Sequence, residues 1–411
     1  MTRTAETVRV LYSFPHRLGA ARICHTAWQQ VYGLMGAGAE VLVFPGSLSR
    51  ELPAGAVVRP TLARGRFRIP YRVLGTERAC AWHDWIVAQR LKRLVGKVDI
   101  VHAWPVGSLR TLKTAARLGI PTVLERPNAH TRFAYEVVQK ECEKLGIVLP
   151  PNHEHAYKPG VLAKEEAEYD AAFRLLCPSD FVARTFVDQG FSPEKLARDQ
   201  YGYDETVYHS GQQVRDDQRG LTMIFVGGCA PRKGLHYALE AWLRSPASAK
   251  GKFMIVGAFV PDYAEKLSAM LSHPSVEVLG HRSDVADLMR KADLLTLPSI
   301  EEGSALVTSE ARASGCVLVV SDAAGAICQH MENALVHRAG DVDQLAEHLT
   351  LLDSNRDLLA KLREASLRTA DEITWKAAGR RLLLVYQETI AAYRRSGKVL
   401  QNKATMAVAH S

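Results

Sequence analysis

Short apolar runs alternate along this chain with segments whose apolar residues recur at helical spacing. The strands predicted in the first half are VRVLYSF, EVLVF, DIVHAW, PTVLER and RLLCPS. The helices predicted between and after them cover 20–35, 77–94, 107–118 and 180–189. Short apolar runs bounded by turn residues are typical of strands buried on both faces. The alternation therefore predicts an α/β fold whose parallel sheet is covered by helices.

The same alternation restarts after a polar, glycine-containing stretch without periodicity. The apolar runs of the second half include LTMIFVGG, KFMIVG, VEVLG, LLTLPS and VLVVSD. Two halves of this kind predict two Rossmann-like, doubly wound domains that face a central cleft. Thr374 is a candidate cap for a long final helix. The predicted divisions are a first domain at 1–202, a linker at 203–220, a second domain at 221–374, the final helix at 375–395 and a frayed tail at 396–411.

The composition fits a soluble protein of two ordinary domains. The chain has 411 residues, of which 47% are hydrophobic and 23% charged. It contains no apolar stretch long enough to cross a bilayer and no signal-peptide segment at its start. Its seven cysteines stand singly, which predicts reduced thiols and a cytoplasmic location. A dehydrogenase that uses NAD is disfavoured because no GxGxxG with a following acid comes after a strand.

Part of the formal net charge of +8 lies in one basic segment, VVRPTLARGRFRIPYRVLG. This segment has three open interpretations: a solvated loop, a loop that receives an anionic acceptor, or a peripheral contact with anionic lipid at the inner face of a membrane. Nucleic acid is not expected as a partner, since no recognisable binding module accompanies the segment. The arginines concerned are Arg59, Arg64, Arg66, Arg68 and Arg72.

Two glutamates, Glu302 and Glu310, lie eight residues apart in a predicted strand–loop–helix–strand unit. A helix predicted from about Ser304 would direct both carboxylates towards one crevice. Carboxylates accept hydrogen bonds from hydroxyl groups, and the start of a helix offers backbone N–H groups to a phosphate. Hydroxyls, phosphates and hydroxyls in succession indicate a nucleotide sugar as the ligand.

A second strand–loop–helix segment reads FVGGCAPRKGLHYALEAW. Gly227 and Gly228 allow a sharp turn and a close approach of a ligand to the backbone. Arg232 and Lys233 open the next helix, where the helix dipole alone disfavours a cation. The cations are explained if a diphosphate binds at this point and both lysine and dipole contact it.

Two polar loops of the first domain are weaker candidates. Gly19 precedes a helix directly after the first strand, as a phosphate-binding turn would require. His130 follows a strand end together with Arg126 and Asn128, and it could bond a sugar hydroxyl or stabilise developing charge. The HEH sequence at 153–155 lacks the helical spacing and the carboxylates of a zinc site, so no metal is expected there.

The second half resembles the C-terminal domain of family 4 (group 1) glycosyltransferases, which have the GT-B fold. The motifs that carry the resemblance are FVGG-x3-RKG, LPS-x2-EG-x6-E, GC-x-LVVSD and EN-x-LVHRAGD, in the right order between about 221 and 350. The first half resembles the family in its strand–helix order and its Gly19 loop. The long last helix resembles the family's crossover helix, which returns to pack on the first domain.

The resemblance implies transfer of a sugar from a nucleotide-activated donor, with retention of configuration and without a required metal or other cofactor. It places Lys233 on the diphosphate-binding lysine, Glu302 on the acid that binds donor-sugar hydroxyls and Glu310 on the acid that binds the ribose. The backbone of Gly303, Ser304 and Ala305 would contact phosphate and sugar.

The chain departs from the usual family pattern in the same motifs. Gly228 stands where the family usually has Arg, and Arg232 stands where an acid is common. Ser304 and Ala305 replace the usual Phe-Gly pair. Arg232 is therefore a candidate for supplying the positive charge that is missing at Gly228.

The sequence thus predicts a hexosyltransferase whose donor, linked to UDP, GDP or ADP, binds mainly to the second domain. The first domain would hold a carbohydrate or lipid-linked acceptor, as in polysaccharide or glycolipid biosynthesis. The alternatives are another enzyme of the same fold, such as a nucleotide-sugar epimerase or a hydrolase, and an inactive nucleotide-sugar-binding scaffold. Gly228 is the residue that favours the scaffold.

Overall fold

The structure, a computed structural model, contains two parallel β-sheets, each flanked by helices. It describes residues 7–64, 67–68, 71–211 and 219–397, and the side chains of residues 64–72 are outside the description. We call the part built on the first sheet the N-terminal lobe and the part built on the second sheet the C-terminal lobe. The predicted α/β class with two Rossmann-like units is confirmed.

The first sheet has seven parallel strands in the order β3-β2-β1-β6-β7-β8-β9. The strand β6 is buried along its whole length, as expected for a parallel strand covered on both faces. The chain reverses its direction of travel across the sheet after β3, so that β1 and β6 are neighbours. The strands are β1 (Arg9–Leu18), β2 (Glu40–Leu48), β3 (Val57–Val58), β6 (Ile100–Ala103), β7 (Thr122–Glu125), β8 (Arg174–Cys177) and β9 (Leu196–Arg198), with the separate antiparallel pair β4 (Ala63–Arg64) and β5 (Phe67–Arg68).

The second sheet has six parallel strands in the order β12-β11-β10-β13-β14-β15. Its strands β13 and β14 are fully buried and contribute to the largest apolar cluster of the C-terminal lobe. The reversal of strand order falls between β10 and β13, which is where open α/β sheets place their ligands. The strands are β10 (Thr222–Val226), β11 (Lys252–Val256), β12 (Val276–Gly280), β13 (Leu294–Leu297), β14 (Val317–Ser321) and β15 (Ala334–His337).

The predicted helices are present with shifted ends, and the helices over 131–145, 159–171, 342–354 and 356–368 were not predicted. The helix predicted from about Ser304 begins at Leu306, so Glu302 lies in the preceding loop. No helix among the described residues is both long and apolar enough to cross a membrane. The helices are α1 (Ile23–Gly36), α2 (Tyr71–Leu74), α3 (Thr76–Leu91), α4 (Leu109–Arg117), α5 (Thr131–Leu145), α6 (Pro159–Ala171), α7 (Asp180–Asp188), α8 (Leu235–Arg244), α9 (Tyr263–Lys266), α10 (Ser268–Leu271), α11 (Val285–Lys291), α12 (Leu306–Ala313), α13 (Val342–Ser354), α14 (Arg356–Arg368) and α15 (Trp375–Arg395).

The final helix α15 packs on the N-terminal lobe. Its side chains Leu382 and Tyr386 join the apolar cluster that contains the strand β1. Gly379 lies against Gly33 of α1, and a Cβ at Gly379 would come within 2.3 Å of the Gly33 carbonyl carbon. The Thr374 hydroxyl accepts a hydrogen bond from the Ala377 N–H, as the predicted cap requires. The predicted tail at 396–411 lies outside the described residues from 398 onward, as does 212–218 within the predicted linker.

Candidate functional site

A cleft of about 910 Å³ lies between the lobes, beyond the carboxyl ends of β7, β10 and β13. The N-terminal lobe contributes the start of α1, the turn after β7 and the loop between α5 and α6. The C-terminal lobe contributes the loops after β10 and β13 and the first turns of α12. The polar and charged residues that line the cleft are Arg22, Thr26, Asn128, Asn152, His153, Glu154, Tyr201, Arg232, Lys233, Glu302, Ser304 and Glu310.

Arg232 and Lys233 are positioned by a tight turn between β10 and α8. Residues Pro231–Lys233 form one turn of 3₁₀-helix, and Gly234 follows it with a φ of 68°. A Cβ at Gly234 would come within 2.0 Å of the Pro298 carbonyl oxygen, so this close approach requires glycine. The Ile300 N–H donates to the Arg232 carbonyl oxygen at 2.9 Å. The two cations are thereby fixed beside the loop that follows β13.

Glu302 forms ion pairs with both cations. Its carboxylate contacts the Lys233 ammonium, and its Oε1 lies 3.0 Å from Nη1 of Arg232. Burial alone would raise the pKa of Glu302, but Arg232 and Lys233 lower it below its ordinary value. Burial lowers the pKa of Lys233, with Glu302 opposing and Arg232 adding to the shift. The cleft therefore holds a buried cationic pair whose charge is balanced internally by acids.

Glu310 lies on α12 in a different environment of the same cleft. It is hydrogen-bonded to the hydroxyl of Tyr208, which belongs to the segment predicted as the linker. Burial raises the pKa of Glu310 to about 7, and the hydrogen bond from Tyr208 opposes the shift only in part. Among the residues that the structure describes, no cation contributes to this shift, in contrast to Glu302.

The loop 298–305 that separates the two glutamates is held against the N-terminal lobe. A Cβ at Gly303 would come within 1.6 Å of the Pro127 carbonyl oxygen, so the two lobes meet backbone to backbone. Ser304 and Ala305 line the cleft directly before α12. The first turn of a helix leaves N–H groups without intrahelical partners, and these can receive an anionic ligand.

Glu301, the neighbour of Glu302, was not among the predicted residues. It is fully buried, and the pKa of its carboxyl is lowered to about 2. Burial would raise this pKa, but the hydrogen bond with His155 and the charge of Arg232 outweigh it. Two adjacent acids after a buried strand are the only signal in the sequence that could have indicated it.

The structure brings most of the predicted residues to the cleft, but not all of them. Gly227, Gly228, Arg232, Lys233, Glu302 and Glu310 line it. Gly19 has a φ of 82° and packs against Arg50, while Arg22, three residues later, lines the cleft.

His130, like Gly19, is a predicted site residue that does not line the cleft. Its side chain caps α5 by accepting from the Arg132 N–H, and its ring packs between Tyr169 and Phe186, with centroids at 5.1 and 4.9 Å. Burial lowers the pKa of His130 to about 4. Asn128, two residues earlier, is the side chain of this turn that lines the cleft.

The prediction that no metal binds remains untested by the geometry. Within the described ranges, no group of three or more His, Cys, Asp and Glu side chains is arranged to hold a metal ion. The histidines of HEH have other neighbours: His153 lines the cleft, and His155 bonds Glu301 with 3.1 Å between Nε2 and Oε2.

Comparison with known proteins shows which sequences and which fold this chain resembles. Residues 220–355 match the family model described as Glycosyl transferases group 1. The D-inositol 3-phosphate glycosyltransferase of Thermobispora bispora is 24% identical over 395 residues, covering 89% of each chain. The enzyme of the same name from Mycobacterium tuberculosis (strain H37Ra) is 27% identical over 393 residues, covering 88% of this chain and 75% of the relative. The resemblance of the second half to this family is confirmed.

Solved structures agree over nearly the whole chain. The galactosyltransferase WaaB of the lipopolysaccharide outer core superposes with a TM-score of 0.66 at 12% identity, covering 93% of this chain and 99% of that one. Sucrose-phosphate synthase from Thermosynechococcus elongatus gives 0.65 at 16%, covering 94% and 100%. HepE of Anabaena, solved in complex with UDP, gives 0.61 at 15%, covering 93% and 100%. These likenesses establish the GT-B fold.

Proposed function

We propose that this group 1 glycosyltransferase moves a sugar from a nucleotide-sugar donor to an acceptor, with retention of anomeric configuration. The observation that carries the proposal is the convergence of Lys233, Glu302 and Glu310 on one cleft between the lobes. Lys233 matches the diphosphate of such a donor, Glu302 matches its sugar, and Glu310 matches its ribose. Retention of configuration rests on the family resemblance.

The diphosphate would bind where Arg232 and Lys233 lie together. Both cations contact Glu302, with Arg232 Nη1 at 3.0 Å from its Oε1. A diphosphate supplies a stronger anionic partner for the cations, which leaves the Glu302 carboxylate free to accept from sugar hydroxyls. As the bond to the sugar breaks, negative charge grows on the diphosphate, and the same two cations stabilise it.

The position of Arg232 counts against the inactive scaffold. That alternative rested on the missing arginine at Gly228. Arg232 lines the same cleft as Gly228 and approaches Glu302. The cleft therefore has two cations for the diphosphate, and we propose that Arg232 replaces the usual arginine.

The N-terminal lobe would close the site over the sugar and hold the acceptor. We assign the contact from the turn after β7 to Asn128 in place of His130, because Asn128 lines the cleft. Closure excludes water, which would otherwise hydrolyse the donor. Peripheral binding to an anionic membrane stays a proposal based on the basic segment, of which Arg59 is exposed and Arg64, Arg66, Arg68 and Arg72 lie outside the described side chains.

The first experiment is a thermal-shift screen with UDP-, GDP- and ADP-linked sugars. A ligand that binds only the folded protein raises its unfolding temperature by mass action, so the correct donor should stand out. Uridine nucleotides come first, since HepE was solved with UDP and with UDP-glucose. If no nucleotide sugar shifts the transition of the folded protein, the proposal fails.

Product analysis then separates the remaining activities. A transferase forms a glycosylated product only when an acceptor is present, a hydrolase releases free sugar without one, and an epimerase leaves the diphosphate linkage intact. We propose that no metal is required. Unchanged turnover in the presence of EDTA would support this, and loss of turnover with recovery on adding Mg²⁺ or Mn²⁺ would contradict it.

A further inference from the structure

Glu301 is a buried charge at the junction of the two lobes, and the donor contacts proposed above do not use it. Its side chain is 0% exposed. A carboxylate without partners at such a position would be strongly destabilising, so its partners indicate why it is tolerated. They come from three separate segments, and two of these belong to the other lobe.

The contacts of Glu301 are directional. In the N-terminal lobe, the Ala129 N–H donates to Oε1 at 3.2 Å, and Nε2 of His155 lies 3.1 Å from Oε2. In the C-terminal lobe, Nη1 of Arg232 donates to Oε2 at 3.2 Å and to the Glu301 carbonyl oxygen at 2.8 Å. One residue therefore binds the turn after β7, the loop between α5 and α6, and the cleft arginine.

Each segment that Glu301 holds also lines the cleft. Asn128 precedes Ala129, and His153 and Glu154 precede His155. Arg232 lines the cleft itself and donates two hydrogen bonds to Glu301. A change in the Glu301 contacts would consequently displace the N-terminal wall of the site and the second cation together.

We propose that Glu301 is a positioning residue that latches the two lobes together through His155 and Ala129 and holds Arg232 in place for the diphosphate. The inference rests on the proposed function for its diphosphate part, while the latch itself does not depend on it. Donor entry and product release require the lobes to separate, and this breaks the contacts to His155 and Ala129. Glu301 keeps Arg232 as a partner in both states, because the two belong to one lobe.

A double-mutant cycle tests the positioning of Arg232. Calorimetry with UDP, GDP and ADP gives the affinity of wild type, Glu301→Gln, Arg232→Gln and the double variant. Glu301→Gln keeps the shape of the side chain but removes its charge. We expect it to weaken binding of the nucleotide that binds wild type about tenfold, which is the scale of one charge-assisted hydrogen bond. In the Arg232→Gln background the same change should cost nothing further. Equal losses in both backgrounds, or no loss in the first, would overturn the positioning role.

Small-angle X-ray scattering of the ligand-free protein tests the latch. Glu301→Gln and His155→Phe weaken the same contact from opposite lobes, so both should increase the radius of gyration. The matched control is Glu166→Gln, which removes one charge from a pair with Arg132 inside the N-terminal lobe and should leave the radius unchanged. A radius equal to that of wild type in both test variants would overturn the latch. Because scattering needs no ligand, this result stands even if no nucleotide binds wild type.

Discussion

Each end of the cleft holds a glutamate, and the pKa values of the two carboxyls are shifted in opposite directions. At the cationic end, Arg232 and Lys233 hold the pKa of Glu302 below its ordinary value. At the linker end, the neutral Tyr208 hydroxyl is hydrogen-bonded to Glu310, and burial raises the pKa of Glu310 to about 7. Burial raises the pKa of a carboxyl at both ends, so the presence of charged partners decides the direction of the net shift. One end is prepared for an anion, and the other can exchange a proton near neutral pH.

Removing either member of the cationic end should have the largest effect. We expect Lys233→Ala and Glu302→Ala each to lower turnover of the donor by roughly 10²-fold or more, the scale of one lost electrostatic donor in an active site. Lys233→Ala removes charge stabilisation of the diphosphate, and Glu302→Ala removes the acceptor for sugar hydroxyls. The measurement is initial-rate turnover of the nucleotide sugar selected by thermal shift.

A surface substitution provides the matched control for that experiment. Lys195→Ala removes a lysine of the N-terminal lobe that does not line the cleft and whose ammonium bonds the Asp170 carbonyl oxygen at 3.0 Å. It should retain wild-type turnover. Near-normal turnover in folded Lys233→Ala and Glu302→Ala would remove the basis for distinguishing the two ends.

The second prediction asks whether the extra arginine of the cationic end replaces the missing one. Arg232→Gln should weaken nucleoside diphosphate binding about tenfold, measured by calorimetry with UDP, GDP and ADP. Gly228→Arg should recover part of this loss in the Arg232→Gln background. A Cβ at Gly228 would meet nothing within 4 Å, so the arginine can be accommodated. Failure of Gly228→Arg to improve binding would show that the two positions are not equivalent.

The cationic end was more accessible to sequence reasoning than the rest of the site. Lys233 and Glu302 lie in the loops that follow β10 and β13, and the apolar runs that form these two strands are plain in the sequence. Their convergence follows from parallel strands that end at one edge of a sheet. By contrast, Tyr208 and Glu301 owe their roles to contacts with residues that are distant in the chain, which local pattern does not encode.

The same limit explains the misplaced residue and the unpredicted helices. His130 caps the start of α5, while Asn128, two residues earlier, lines the cleft. Which of the two side chains points into the cleft depends on where α5 begins, and the sequence pattern does not give that position. The helices α5 and α6 bury acids that interrupt their apolar pattern. Glu141 bonds His236 and Tyr237 of the other lobe at 2.9 and 2.7 Å. Glu168 accepts from the Val106 and Ser108 N–H groups at 2.7 and 2.8 Å.

The third prediction concerns the pH response of the linker end. A carboxylate accepts ribose hydroxyls better than a carboxylic acid does, so donor binding should release a proton from Glu310. Because burial raises the pKa of Glu310 to about 7, the affinity for the nucleotide sugar should rise about tenfold between pH 6 and pH 8. Calorimetry with a nucleotide sugar is suitable, because its diester phosphates do not titrate in this range.

Glu310→Gln is the variant that isolates this response. Its amide does not titrate, so its weaker binding should be flat over the same pH range. Glu302→Gln should keep the wild-type slope, since the pKa of Glu302 lies below its ordinary value and outside the range tested. An unchanged slope in Glu310→Gln would assign the proton to another group.

The smallest effect should come from the cap of α15, which lies beside the linker. Thr374→Ala removes the hydrogen bond to the Ala377 N–H at 3.2 Å and should lower the free energy of unfolding by about 1 kcal/mol, measured by chemical denaturation. Asn355→Ala is the matched control, because Asn355 caps α14 by accepting from the Leu358 N–H at 2.9 Å. The backbone N–H of Trp375 donates to the Tyr203 carbonyl oxygen at 3.3 Å. The Thr374 cap therefore also supports the segment that leads to Tyr208. If donor affinity falls in Thr374→Ala and not in Asn355→Ala, the linker end depends on the junction with α15. Equal donor affinities in the two variants would show that the proton response of the linker end depends on Glu310 and Tyr208 and not on the junction with α15.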